Sequence, residues 1–116
     1  MRSFFWWLPF GKVPEISPEE LKRWLEEGRN LQLIDSRTEL EYNQGTIARA
    51  RHAPVTGLPG SIDRLDLDPD RPVVVLCFSG HRSLPGTRLL RSRGIEAYSL
   101  RGGISSWKSR GFPISR

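Results

Sequence analysis

The chain has 116 residues, with 18 Lys+Arg against 13 Asp+Glu, a formal charge of +5 and one cysteine, Cys77. That length is one domain, and 37% apolar with 27% charged residues are globular proportions that exclude a disordered chain. A single Cys excludes an intramolecular disulfide, a four-Cys zinc site and a CxxC redox pair, so a reducing, cytoplasmic setting is expected.

Residues 4–10, Phe-Phe-Trp-Trp-Leu-Pro-Phe, are the most apolar stretch. A bilayer span takes about 20 apolar residues, so no transmembrane segment is expected there. The following Gly11-Lys12-Val13-Pro14 lacks the small-x-small site of a secretory signal. Residues 1–12 are read as an apolar arm that folds back on the domain or on a second subunit. The competing reading is interfacial membrane contact through Trp6 and Trp7. Residues 13–116 then form the domain.

Ser17-Pro18-Glu19-Glu20 reads as a capping box with Pro at N1, and Leu21, Trp24 and Leu25 share one face of a helix over 18–27 that Gly28 stops. Leu31 to Asp35 is a short apolar run bounded by polar residues, the pattern of a buried strand. Thr38 with Glu41 repeats the capping box for a helix ending by Gly45. Residues 50–55 are a short strand, and Ile62, Leu65 and Leu67 suggest a brief helix. Pro72 opens Val73-Val74-Val75-Leu76-Cys77, a β-branched run typical of a central parallel strand covered on both faces. A helix follows, with Ser83 as N-cap, Pro85 in its first turn, Leu89 and Leu90 facing inward and Gly94 at C′. Residues 95–100 form another strand, Gly102-Gly103 turns the chain, and residues 104–108 form the last helix. Strands alternating with helices at this spacing predict a parallel α/β sheet.

Ligands of open parallel sheets bind beyond the carboxyl ends of the strands, and Cys77 ends the central one. Cys77 to Arg82 must turn from strand to helix in very little chain, which curls the loop so that successive N–H groups point inward. Such a nest, opening on a helix N-terminus, holds anions and stabilises a thiolate. Gly80 supplies backbone freedom, Ser79 and Ser83 can donate hydroxyl hydrogen bonds, and Arg82 can hold an oxyanion. A lone Cys at the end of an apolar strand is more often a small buried hydrophobe. Here the strand, the Cys, the Gly-containing loop, the Arg and the helix stand in the order that a sulfur nucleophile meeting a small anion requires. Asp35 and Arg37 are read as structural, with Arg37 spaced to pair with Glu41. Two His, His52 and His81, are too few for a metal site, and His81 is placed at the solvent rim of the loop.

From Arg82 onward eight Lys+Arg stand against one acid, Glu96, a field that attracts small anions or acidic partners. No stacking platform or finger motif points to nucleic acid, and none is expected as a partner.

In these residues the sequence resembles the single-domain rhodaneses. The resemblance runs through Leu33 to Arg37, Glu41-Tyr42 with Gly45 and Ile47, Val73 to Cys77, the loop Cys77-Phe78-Ser79-Gly80-His81-Arg82-Ser83 in the family's C-x-x-G-x-R-S form, and Leu100 to Gly103 with Trp107, Gly111 and Pro113. Gly45-Thr46-Ile47-Ala48-Arg49-Ala50 stands where the family often has Gly-His-Ile-Pro-Gly-Ala, and Leu84 to Thr87 replaces small residues usual in the active-site helix. Arg49 and Arg51 fall in a segment that the family places near the pocket mouth.

The resemblance implies a three-layer α/β/α domain with a central five-stranded parallel sheet. It implies a sulfurtransferase in which Cys77 takes sulfane sulfur from a small anionic donor such as thiosulfate, becomes a persulfide, and passes the sulfur to cyanide, a thiol or a sulfur-relay protein. Phe78, Ser79, Gly80, His81, Arg82 and Ser83 would bind the substrate, with no cofactor and no metal. Two alternatives compete: a non-enzymatic persulfide carrier or partner-binding module, and a Cys-dependent phosphatase or arsenate reductase. Loops of the latter kind carry five residues between Cys and Arg, whereas Cys77 to Arg82 leaves four.

Overall fold

The computed structural model describes residues 13–116; the apolar arm read in residues 1–12 lies outside them. The elements are β1 (Glu15–Ile16), α1 (Pro18–Glu26), β2 (Gln32–Asp35), α2 (Glu39–Gln44), β3 (Arg51–His52), α3 (Gly60–Asp63), β4 (Val73–Leu76), α4 (Leu84–Ser92), β5 (Ala97–Leu100) and α5 (Gly103–Ser109). The strands form one sheet in the order β1-β5-β4-β2-β3, every neighbouring pair parallel. The expected five-stranded parallel α/β architecture is therefore what the chain adopts.

Alternation along β4 builds the layers. Val74 and Leu76 pack with Leu33, Ile16 and Leu100 against Leu21 of α1 and Ile104 and Trp107 of α5. Val73 and Val75 pack with Ile34 and Ala97 against Ile62 of α3 and Leu90 of α4. All four β4 residues are fully buried, as a strand covered on both faces must be. In α1, Trp24 and Leu25 join Leu21 on the first of these cores, as their spacing predicted.

Local chemistry sets the element ends. Ser17 Oγ accepts from Glu20 N at 3.0 Å, but the reciprocal half of the expected box is missing because the Glu20 carboxylate pairs with Arg23 at 2.6 Å. At α2 the box is complete: Thr38 Oγ1 accepts from Glu41 N and Glu41 Oε1 accepts from Thr38 N. Helix α4 starts after Ser83 with Pro85 at its second position, and Gly94 follows it at φ +81°. Ser83 makes no side-chain cap bond, because its hydroxyl is turned to the Cys77 loop. Two expected strands shorten, 50–55 to Arg51–His52 and 95–100 to Ala97–Leu100, and the brief helix sits earlier, at Gly60–Asp63.

Arg49, where the resemblance would place Gly, has φ +73°. The left-handed region costs a side-chain-bearing residue roughly 1–2 kcal/mol, part of which glycine loses again through its freer unfolded state. Arg49→Gly is therefore expected to raise stability by roughly 0.5–1 kcal/mol, read as a higher urea midpoint at unchanged slope.

Candidate active site

Three loops meet beyond the carboxyl ends of neighbouring strands, the place where open parallel sheets bind ligands. They follow β4 (Cys77–Ser83), β5 (Arg101–Gly102) and β2 (Ser36–Thr38). Cys77 comes one residue after β4 and is completely buried, its thiol held inside the curl of its own loop. Gly80 N donates to Cys77 Sγ at 2.8 Å, and Ser83 Oγ lies 3.6 Å from the same sulfur. The Gly80 N–H directed at the sulfur is a donor a thiolate needs, while the Ser83 hydroxyl accepts from the thiol and donates to Gly80 O at 3.3 Å.

The remaining loop donors are unspent. The N–H groups of Ser79, His81, Arg82 and Ser83 have no acceptor among the described residues. Backbone donors of a tight turn left without acceptors form a nest for an anion. Gly80 makes the curl possible: its φ is +102°, and a Cβ there would lie 3.1 Å from Gly102 N.

The backbone around the sulfur is pinned from both sides. Ser36 donates to Leu76 O through both its N–H, at 2.8 Å, and its hydroxyl, at 2.7 Å. From the β5 side, Ile104 N donates to Cys77 O at 2.7 Å and Ser105 N to Phe78 O at 2.9 Å. The first turn of α5 thus spends its free donors on the carbonyls of the cysteine loop. This close approach needs Gly103, at φ +63°, whose absent Cβ would lie 2.5 Å from Phe78 O. The sequence predicts only a turn at Gly102-Gly103; the structure makes Gly103 the point where the β5 loop clamps the β4 loop. Behind the sulfur, Thr87 Oγ1 donates to Ser83 O at 2.8 Å and lies 2.8 Å from Ser99 Oγ, a fully buried link from α4 to β5.

Among the residues expected to bind substrate, Gly80 and Ser83 are buried beside Cys77, Arg82 is half-buried, and Phe78, Ser79 and His81 are exposed. His81 stands at the rim as expected, its Nδ1 3.2 Å from Ser79 Oγ. Phe78 leaves 51% of its surface exposed, an apolar ring beside the nest.

Arg82 differs from expectation. Instead of lying free for an oxyanion, its guanidinium forks onto Glu41, Nη1 to Oε1 at 2.8 Å and Nη2 to Oε2 at 2.9 Å. Glu41 is also held by Thr38, so the capping box of α2 continues into the rim of the cysteine loop. The Arg82 hydrogen bonds, helped by Thr38, lower the Glu41 carboxyl from 4.5 to about 2. A carboxyl lowered on folding stabilises fully above its unfolded value and loses that contribution as pH falls through its folded value. The difference in melting temperature between the protein and Glu41→Gln is therefore expected to be constant above pH 4.5 and to shrink toward pH 2, as followed by circular dichroism.

The expected Arg37–Glu41 pair is replaced by Arg37–Asp35. Both side chains are buried, with Arg37 Nη2 2.8 Å and Nε 3.0–3.1 Å from the Asp35 carboxylate. Arg37 also donates to Gly45 O, and Thr46 Oγ1 donates to Asp35 at 2.8 Å. His52 donates to Arg37 O at 2.6 Å and stacks on Tyr42. Through Gly45, Thr46 and His52 the ion pair and its backbone thus join β2 to the 45–52 segment, the structural role expected of both residues. Arg49 and Arg51 line a cleft to which no residue of the 77–83 loop contributes, so they are not at the mouth of the cysteine site. Among the described residues no cluster of His, Cys, Asp and Glu could hold a metal, and no helix is long and apolar enough to cross a membrane.

The sequence profile of the Rhodanese-like domain matches residues 17–110. A protein named sulfurtransferase from Allochromatium vinosum is 37% identical over 103 residues, 88% of this chain and 94% of that protein. Thiosulfate sulfurtransferase GlpE of Stutzerimonas stutzeri is 35% identical over 77 residues, 66% of this chain and 69% of that protein. Among solved structures, a rhodanese-related protein from Thermoplasma volcanium superposes with a TM-score of 0.78 at 25% identity, covering 88% of this chain and 97% of the other.

Proposed function

This chain belongs to the rhodanese-like domain family and is of sulfurtransferase type, and on that footing we propose that it moves sulfane sulfur from thiosulfate or a similar small anionic donor to cyanide or a thiol. The Cys77 thiolate attacks the outer sulfur of thiosulfate, the sulfur–sulfur bond of the donor breaks, and sulfite leaves with the electron pair. Cys77 is left as a persulfide. Cyanide or an acceptor thiolate then attacks the terminal sulfur, forming thiocyanate or the acceptor's persulfide, and the Cys77 thiolate leaves. Sulfur and charge balance without an external oxidant or a cofactor.

The observation that carries this reading is the arrangement around Cys77 Sγ: one N–H already directed at the sulfur and four more loop N–H groups without acceptors among the described residues. Those donors are fixed before substrate arrives, so the same nest serves the donor's negative oxygens, the sulfite leaving group and the persulfide anion. Arg82, paired with Glu41, braces the rim of the loop instead of holding the anion. Expected partners are a small anionic donor and an acceptor thiol, presented by a small molecule or by a sulfur-relay protein that meets the loop at exposed Phe78.

Thiocyanate release from thiosulfate and cyanide tests the reading. Cys77→Ser is expected to lose at least a thousandfold in rate while keeping its circular dichroism spectrum and melting temperature close to the parent's. Equal turnover by both proteins would overturn it.

A further inference from the structure

We propose that the cleft lined by Arg49 and Arg51 is a second, separate binding site for a nucleoside phosphate or a phosphate ester of like build. The cleft holds about 850 Å³, within the range of small-ligand sites. It lies at the opposite end of the sheet from Cys77. Gln32, which lines it, is the first residue of β2 and pairs with Val73, the first of β4, whereas Cys77 follows the last.

Three independent features converge there. Arg49 and Arg51 flank the buried Ala50, and both are exposed and line the cleft. Neither guanidinium has a hydrogen bond or ion pair among the described residues, and residues 1–12 contain no Asp or Glu that could form an ion pair with them. The other two cleft arginines are structural: Arg29 bonds Glu27 and stacks on Trp24, and Arg71 donates to Asn30 O and Leu31 O.

The backbone supplies the second feature. Only two non-glycine residues among those described have positive φ, Arg49 at +73° and Asp66 at +51°, and both line this cleft. Asp tolerates that region; Arg does so only at a cost, and strain of this kind concentrates where a ligand needs the residue.

The third feature is the mixture of chemistries. Two free guanidinium groups suit phosphate oxygens in fork geometry. Asp66, whose carboxylate has no partner among the described residues, and Asp68 offer acceptors for sugar hydroxyls or an exocyclic amine, groups that a bare anion lacks. Leu25 and Leu31 give an apolar wall for a planar ring. Anion, hydroxyl and apolar body together describe a nucleoside phosphate better than an inorganic ion.

The test titrates the full chain with ADP, pyrophosphate or adenosine at low salt, using calorimetry and amide chemical shifts. ADP is expected to saturate with Kd below roughly 1 mM and to bind more tightly than either pyrophosphate or adenosine. Shifts should centre on residues 47–51 and 66–71 and leave 77–83 in place. Arg51→Gln and Arg49→Gly should each weaken ADP at least tenfold, and because Arg49→Gly is expected to melt no lower than the parent, its loss of binding cannot come from unfolding. Absence of saturation, shifts centred on the cysteine loop, or parent-like binding by both variants would overturn the site. Pyrophosphate binding as tightly as ADP would overturn the nucleoside assignment. Thiocyanate release is not a readout here, so the outcome is independent of the sulfur-transfer reading.

Discussion

Gly103→Ala is expected to destabilise the domain by about 2–4 kcal/mol, a fall in melting temperature of roughly 10 °C, and to impair sulfur loading of the fraction that stays folded. Two costs combine. At φ +63° alanine pays the left-handed penalty of roughly 1–2 kcal/mol. Its methyl would also lie 2.5–2.6 Å from the Phe78 carbonyl and closer still to Cys77 O, and these are backbone atoms with no rotamer to escape into. Relief requires the β5–α5 turn to withdraw from the cysteine loop. That breaks the bonds from Ile104 N and Ser105 N that hold the Cys77 and Phe78 carbonyls, and with them the register that sets Gly80 N on the sulfur. Gly28→Ala is the matched control: it has φ +74°, but its Cβ would meet nothing within 4 Å, so it pays the backbone cost without the clash. Urea midpoints of the two variants separate the terms, with Gly103→Ala lower by more than the shared penalty.

Asp35→Ala is expected to cost about 3–5 kcal/mol, because it leaves the Arg37 guanidinium buried without its counter-ion. The loss spreads: Arg37 N and Thr46 Oγ1 also donate to that carboxylate. The double variant Asp35→Ala with Arg37→Ala should be less destabilised than the sum of the two single variants, since removing both partners leaves no unpaired buried charge. Chemical denaturation of the three variants measures the coupling. Additive losses would show that the pair contributes no mutual stabilisation.

What the sequence made legible is what depends on near neighbours. The apolar run Val73-Val74-Val75-Leu76 gives β4, Thr38 with Glu41 gives the capping box of α2, Gly28 and Gly94 mark the ends of α1 and α4, and Cys77 with Gly80 marks the tight strand-to-helix turn. What escaped depends on distance along the chain or on elements too short to carry a period. Strand β1 is two residues between Pro14 and Pro18, and only its pairing with Ser99 and Leu100 makes it a strand. Arg82 finds Glu41 across 41 residues, a contact that no local spacing encodes. Arg37 precedes the first turn of α2, so the helical i,i+4 geometry that would bring it to Glu41 does not apply. Its side chain instead turns back onto Asp35. Gly103 shows why a correctly located turn was only half understood: its left-handed φ is a local property, but the carbonyls it approaches belong to a loop 25 residues earlier.

Intact-protein mass measures directly whether Cys77 carries the sulfur. After incubation with thiosulfate and removal of excess donor, the protein is expected to gain the mass of one sulfur atom, to lose it when cyanide is added, and to show neither change as Cys77→Ser. A parent protein whose mass does not change with thiosulfate, or a Cys77→Ser protein that takes up the same sulfur, would contradict it.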